Sequence, residues 1–113
     1  MVILATYGEV DTLLTADSET DVTAPLLSRH IEILKVAHHG SADAGLESEL
    51  RELRPDVAVI SCGRGNDYGH PRPSTVAALR REPGTQPLPH RRGRTCRRSS
   101  RTASGSRFVR VVE

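Results

Sequence analysis

Ile31-Glu32-Ile33-Leu34-Lys35-Val36-Ala37-His38-His39-Gly40-Ser41 runs an apolar, strand-like segment directly onto two adjacent histidines and a Gly-Ser turn. Such a strand places its imidazoles at the rim of a sheet, where binding and catalytic groups gather on loops held by a rigid scaffold. Two further stretches belong with it. Leu13-Leu14-Thr15-Ala16-Asp17 ends a strand on a carboxylate, and Asn66-Asp67-Tyr68-Gly69-His70-Pro71 sets a third histidine in a loop.

Working outward, the spacing predicts an α/β domain. Residues 2–7 and 12–16 read as strands joined by a turn at Gly8-Glu9, a hairpin. Residues 18–28 suit a helix that Pro25 bends or ends. The nearly continuous apolar run over 31–36 reads as a strand covered on both faces. In residues 45–54, Leu46, Leu50 and Leu53 follow helical i, i+4, i+7 spacing, and Pro55 ends that helix. Residues 56–61 form another buried strand, and a helix over 73–81 opens at Pro73 or Ser74. This order implies a parallel βαβ core beside the hairpin, with functional groups at the carboxyl ends of the strands.

The chain has 113 residues, enough for one domain. Two Tyr, one Phe and no Trp predict a thin, aliphatic core. No apolar run approaches the roughly 20 residues of a membrane helix, and no signal peptide is recognisable at the start. The expectation is a soluble chain, cytoplasmic by default. Cys62 and Cys96 form no CxxC pair and suggest neither a disulfide framework nor a zinc knuckle.

The net charge of +2 conceals a division. Residues 1–82 hold 8 Lys+Arg against 13 Asp+Glu, whereas residues 83–113 hold 8 Arg against Glu113 alone. The expected organisation is therefore a folded part over 1–82, an Arg/Pro/Ser-rich disordered segment over 83–104 and a strand-like end over 105–113.

Taken together, LLTAD (13–17), LKVAHHGS (34–41) and VISCGRGNDYGHPRP (59–73) resemble the C-terminal half of a metallo-β-lactamase-fold hydrolase domain. The resemblance is to the ComEC-type DNA-uptake (competence) proteins, whose pattern approximates LLTGD, LKVxHHGS and VAVISxGxxNxYGHPHP in the same order. It implies part of a four-layer αββα sandwich and one or two divalent ions, zinc or manganese, that activate water for phosphodiester hydrolysis. It also implies DNA as substrate and no small-molecule cofactor. Asp17 matches the bridging metal carboxylate and His70 the final histidine ligand. His38 and His39 match the HHGS turn, as catalytic groups or, for His39, as a further metal contact. The parent family is membrane-attached, with this domain outside the cytoplasm.

The departures carry expectations of their own. The HxHxDH motif that supplies most family ligands is absent from these residues, so Asp17, His70 and a helping histidine are too few for a dinuclear centre. Metal binding is expected to be weak or absent, and the chain inactive alone. Ala16 stands where the family has Gly, and Arg72 where it has His. The arginine-rich interlude is what a local frameshift would produce, so the chain is expected to be a fragment that lacks an N-terminal half and self-associates through the uncovered sheet.

Simpler readings compete at each position. Asp17 could cap the following helix, His70 could be a turn residue stiffened by Pro71, and Tyr68 could contact a substrate phosphate or merely cover its loop. The alternative for the whole chain is a non-catalytic, basic-tailed nucleic-acid-binding or inert protein.

Overall fold

A computed structural model of the chain describes residues 1–23, 29–81, 85–87 and 107–112, the last two stretches as backbone. Its centre is a mixed sheet in the order β1-β2-β3-β4-β6-β5, built from β1 (Ile3–Tyr7), β2 (Val10–Leu14), β3 (Ile33–Lys35), β4 (Val57–Ser61), β5 (Thr85–Pro87) and β6 (Arg107–Val112). Only β1 runs antiparallel to its neighbour. The pairs β2/β3, β3/β4, β4/β6 and β5/β6 are all parallel. The sequence-based α/β reading with a parallel core and a leading hairpin holds in this form.

Gly8 makes the hairpin possible. Its φ of +60° suits the tight two-residue connection that sets Tyr7 opposite Val10. That register also corrects the second strand, expected over 12–16 and found at Val10–Leu14. The strand stops there because Ala16 has turned left-handed, with φ +51°.

One face of the sheet is the core. Leu13, Leu34 and Ala58 stand in one cross-strand row and join Ile60 against the apolar stripes of two helices, α2 (Leu46–Leu53) and α3 (Pro73–Arg81). Leu46, Leu50 and Leu53 are at most 4% exposed, as their spacing predicts. Each fully buried leucine contributes about 1.5–3 kcal/mol through loss of water contact. α2 ends when Arg54 adopts a left-handed conformation (φ +47°) and its N–H bonds back to Leu50 O at 2.8 Å, with Pro55 following.

The opposite face departs from expectation. Ile33, Lys35, Val57 and Val59 are only half-buried, and Ile3 and Leu14 are exposed. β3 is therefore covered on one face, where the sequence predicted two, because no helix among the described residues packs on the second. The helix predicted over 18–28 is a single turn, α1 (Thr20–Thr23), within the described residues; 24–28 lie outside them, as do 82–84, 88–106 and 113. Most of the 83–104 segment and part of the 105–113 end thus fall outside, although β5 and β6 belong to these two stretches. No helix of the described residues is long and apolar enough to cross a membrane.

Candidate functional site

The carboxyl ends of β2, β3 and β4 bring the three motifs to one rim. β2 leads into Thr15, which is buried and donates its hydroxyl to Lys35 O at 2.7 Å, tying the ends of β2 and β3 together. Ser18 N then bonds Thr15 O at 3.0 Å, closing a turn with Ala16 and Asp17 at its corner. Asp17 is exposed there. The Ala16 carbonyl accepts from His38 N at 2.9 Å, so the LLTAD and HHGS segments meet through the backbone.

Beyond β3, Val36 N bonds Val59 O, and the chain then leaves the sheet through three successive left-handed residues, His38 (φ +45°), His39 (φ +53°) and Gly40 (φ +80°). Two of these are histidines, for which that conformation is strained by roughly 1–2 kcal/mol each. Gly40 has a second constraint: a Cβ there would lie 2.7 Å from Pro71 Cβ and 3.1 Å from Ile60 Cγ2. The missing side chain lets the His70-Pro71 loop rest on the turn. Two bonds then clamp them, Arg72 N to Gly40 O at 2.8 Å and Thr75 Oγ1 to Ser41 O at 2.6 Å.

The second loop has its own brace. Asn66 donates Nδ2 to Gly63 O (2.8 Å) and His70 O (2.7 Å), and its Oδ1 accepts from His70 N at 2.9 Å. Asn in a Gly-rich loop is a recognisable turn organiser, although the sequence reading did not single it out. It did not single out Thr75 either, whose bond depends on a fold-level approach.

The imidazoles differ in their surroundings. His39 Nδ1 lies 2.7 Å from the Ser61 carbonyl. In the neutral ring that acceptor holds the proton on Nδ1 and leaves Nε2 as the lone pair. His38 Nδ1 is 3.5 Å from Glu19 Oε1, both side chains being about half exposed. The His70 ring lies 5.9 Å from that of His38 and 6.1 Å from that of Tyr68, nearly parallel to the latter at 12°. His70 Nδ1 is buried and has no hydrogen-bond partner among the described residues. Burial lowers the His70 pKa below its ordinary value, and repulsion from Arg72, His38 and His39 lowers it further. His70 is accordingly neutral near pH 7.

Behind His38 a small cleft is lined by Glu19, Ser41, Asp43 and Glu49 among others. Asp43 organises it, accepting from Thr20 N (2.9 Å), Thr20 Oγ1 (2.8 Å) and Gly45 N (2.9 Å). Glu49 is 5% exposed and bonds Thr23 Oγ1. Desolvation raises its pKa, the Thr23 bond opposes this, and Asp43 and Glu52 add to the rise.

The structure thus brings His38, His39 and His70 to one rim, with Asp17 at the neighbouring strand end. Among the described residues, no three His, Cys, Asp or Glu side chains are grouped so as to hold a metal ion.

No protein-family model matches the chain, and no solved structure matches it significantly. It is similar to Recombination protein 2 of Haemophilus influenzae, with 41% identity over 83 residues, covering 71% of this chain and 10% of that protein. It is also similar to ComE operon protein 3 of Bacillus subtilis, 32% identical over 85 residues, covering 72% of this chain and 11% of that protein. The chain spans about a tenth of the length of these curated relatives. Both support the link to DNA-uptake (competence) proteins drawn from LLTAD, LKVAHHGS and the YGHP stretch.

Proposed function

We propose that the rim formed by Asp17, His38, His39 and His70 is part of a metal-dependent phosphodiester-hydrolysing site, of metallo-β-lactamase type, in a DNA-uptake protein. The residues of this chain contribute to that site without completing it. The observation that carries the reading is the clamp between the two loops. Backbone bonds and the missing Gly40 Cβ hold three histidines from two separate motifs together, and the buried Nδ1 of His70 lacks a partner among the described residues. Such an atom can be satisfied by a water, a ligand or a group from another segment. The half-exposed sheet face, with Ile33, Val57 and Val59 on it, is where the second half of a sandwich would pack.

The chain alone is expected to bind zinc or manganese weakly and to cleave no DNA, because among its described residues no three His, Cys, Asp or Glu side chains are grouped closely enough to hold an ion. The test joins it to an HxHxDH-bearing N-terminal half and assays manganese- or zinc-dependent cleavage of an oligodeoxynucleotide. Cleavage that requires both halves and is lost in Asp17→Ala and His70→Ala supports the proposal. A joined, folded protein that cleaves equally well with both substitutions would overturn it. Replacing Arg91, Arg92, Arg94, Arg97, Arg98 and Arg101 with glutamine in the joined protein separates this reading from non-specific DNA binding by the arginine-rich end.

A further inference from the structure

Tyr68 stands 76% exposed on a loop that is otherwise held firmly. Asn66 braces the loop from inside through three hydrogen bonds, and the Arg72–Gly40 bond anchors its end. An aromatic ring on such a loop is displayed: its position is set while its surface stays in water. The ring lies nearly parallel to His70, and His70 in turn approaches His38. The Arg72 guanidinium sits beside Gly69, 3.6 Å from where a Cβ would be. A flat aromatic surface, a cation and the imidazoles of the rim therefore follow one another along one edge.

We infer that Tyr68, backed by His70, is a stacking platform for an unpaired nucleobase, so that the rim takes its DNA as a single strand. The inference rests on the reading of the rim as a DNA site and adds the form of the substrate. Aromatic side chains stack on the π-faces of bases whatever their identity, and single-strand binders combine such platforms with cationic groups for the backbone. Bases inside a duplex have both faces covered by their neighbours and meet a protein ring only after extrusion. Because the loop is already braced, little ordering entropy opposes the contact. Arg72, where the competence pattern has histidine, supplies a cation for the phosphate next to the stacked base.

The test uses the full chain carrying Tyr7→Phe, which leaves Tyr68 as the sole tyrosine in a protein without tryptophan. Its fluorescence is titrated with an oligodeoxythymidylate, an abasic oligonucleotide of equal length and a duplex. The expected result is quenching by the single strand, with the base-bearing strand bound about tenfold or more tighter than the abasic one, the scale of one base-aromatic contact. Tyr68→Ala, followed by anisotropy of a labelled oligonucleotide, should abolish that preference, and Tyr68→Phe should keep it. Equal binding of base-bearing and abasic strands, or a preference that survives Tyr68→Ala, overturns the stacking platform. If abasic binding still weakens in a His38→Ala/His39→Ala variant, the phosphate-facing role of the rim stands although the platform fails. If no DNA binding depends on His38, His39 or Tyr68, both readings fall. Arginine-rich contacts to the backbone contribute equally to base-bearing and abasic strands and so cancel from the comparison.

Discussion

The two ends of the parallel strands use the same residue types in opposite ways. At the amino ends, the polar side chains satisfy one another. Asp11, 8% exposed, pairs with Arg29 and accepts from Thr6 Oγ1 at 2.5 Å. Glu32 accepts from Asp11 N at 2.6 Å, and His30 lies between Glu32 (3.0 Å) and Asp56 (3.6 Å). At the carboxyl ends, three histidines sit on or beside a left-handed turn, and one of them keeps a buried nitrogen with no partner among the described residues. The first rim is closed by its own hydrogen bonds. The second bears backbone strain and has capacity left over, which is the usual condition of a site that binds something else.

The largest expected break in this contrast is Gly40→Ala. The new Cβ would meet Pro71 Cβ at 2.7 Å on a backbone that disfavours any side chain, for a combined loss of about 2–5 kcal/mol in urea unfolding. Gly8→Ala is its control. Gly8 also has positive φ, but among the described residues nothing lies within 4 Å of the added carbon, so a loss of only about 1 kcal/mol is expected. Equal losses would show that the Gly40–Pro71 contact does not hold the two loops together. Next in size is the closed rim. Asp11→Ala leaves the Thr6 hydroxyl and the half-exposed Arg29 without their acceptor, and should cost about 1–3 kcal/mol in the same assay. A negligible cost would mean that water replaces the network freely.

How far the sequence foretold these rims depends on the range of the interactions involved. α2 was legible because Leu46, Leu50 and Leu53 declare a buried stripe within a single segment. The parallel core of β3 and β4 beside a hairpin was legible from apolar runs alternating with helical spacing. The contacts of α1 were not, because Thr20 and Thr23 are held by Asp43 and Glu49, more than twenty residues away. The three motifs marked the carboxyl-end rim, yet nothing local in HHGS announces that its glycine must lie against Pro71. Nor does any local pattern show that Asn66 braces His70, or that the second face of β3 lies half open.

Ala16→Gly is a smaller test, with the opposite sign. Ala16 holds φ +51° at the corner that carries Asp17, a conformation costing an L-residue about 1–2 kcal/mol. Glycine relieves this but adds unfolded-state entropy worth about 0.4–1 kcal/mol. The net expectation is a gain of up to about 1.5 kcal/mol, read as a rise in the urea midpoint at unchanged slope. A loss of stability would mean that the alanine methyl makes a contact worth more than the strain.

The smallest effect is a titration, and it bears most directly on the open rim. His70 should titrate below 6.5 in the folded protein, followed by its imidazole resonances in NMR, because burial and then the Arg72, His38 and His39 charges disfavour the imidazolium. A depressed folded pKa means that the unfolded chain binds the proton more readily. The His70 contribution to stability is therefore fully present above 6.5 and is lost as pH falls through the folded value. Arg72→Gln should raise the pKa only part of the way, since burial is the larger cause. A return to 6.5 in that variant would make charge the controlling influence and leave the buried Nδ1 in contact with water. A pKa that stays low would mean that the folded loop itself keeps His70 neutral, with a lone pair free for whatever the rim binds.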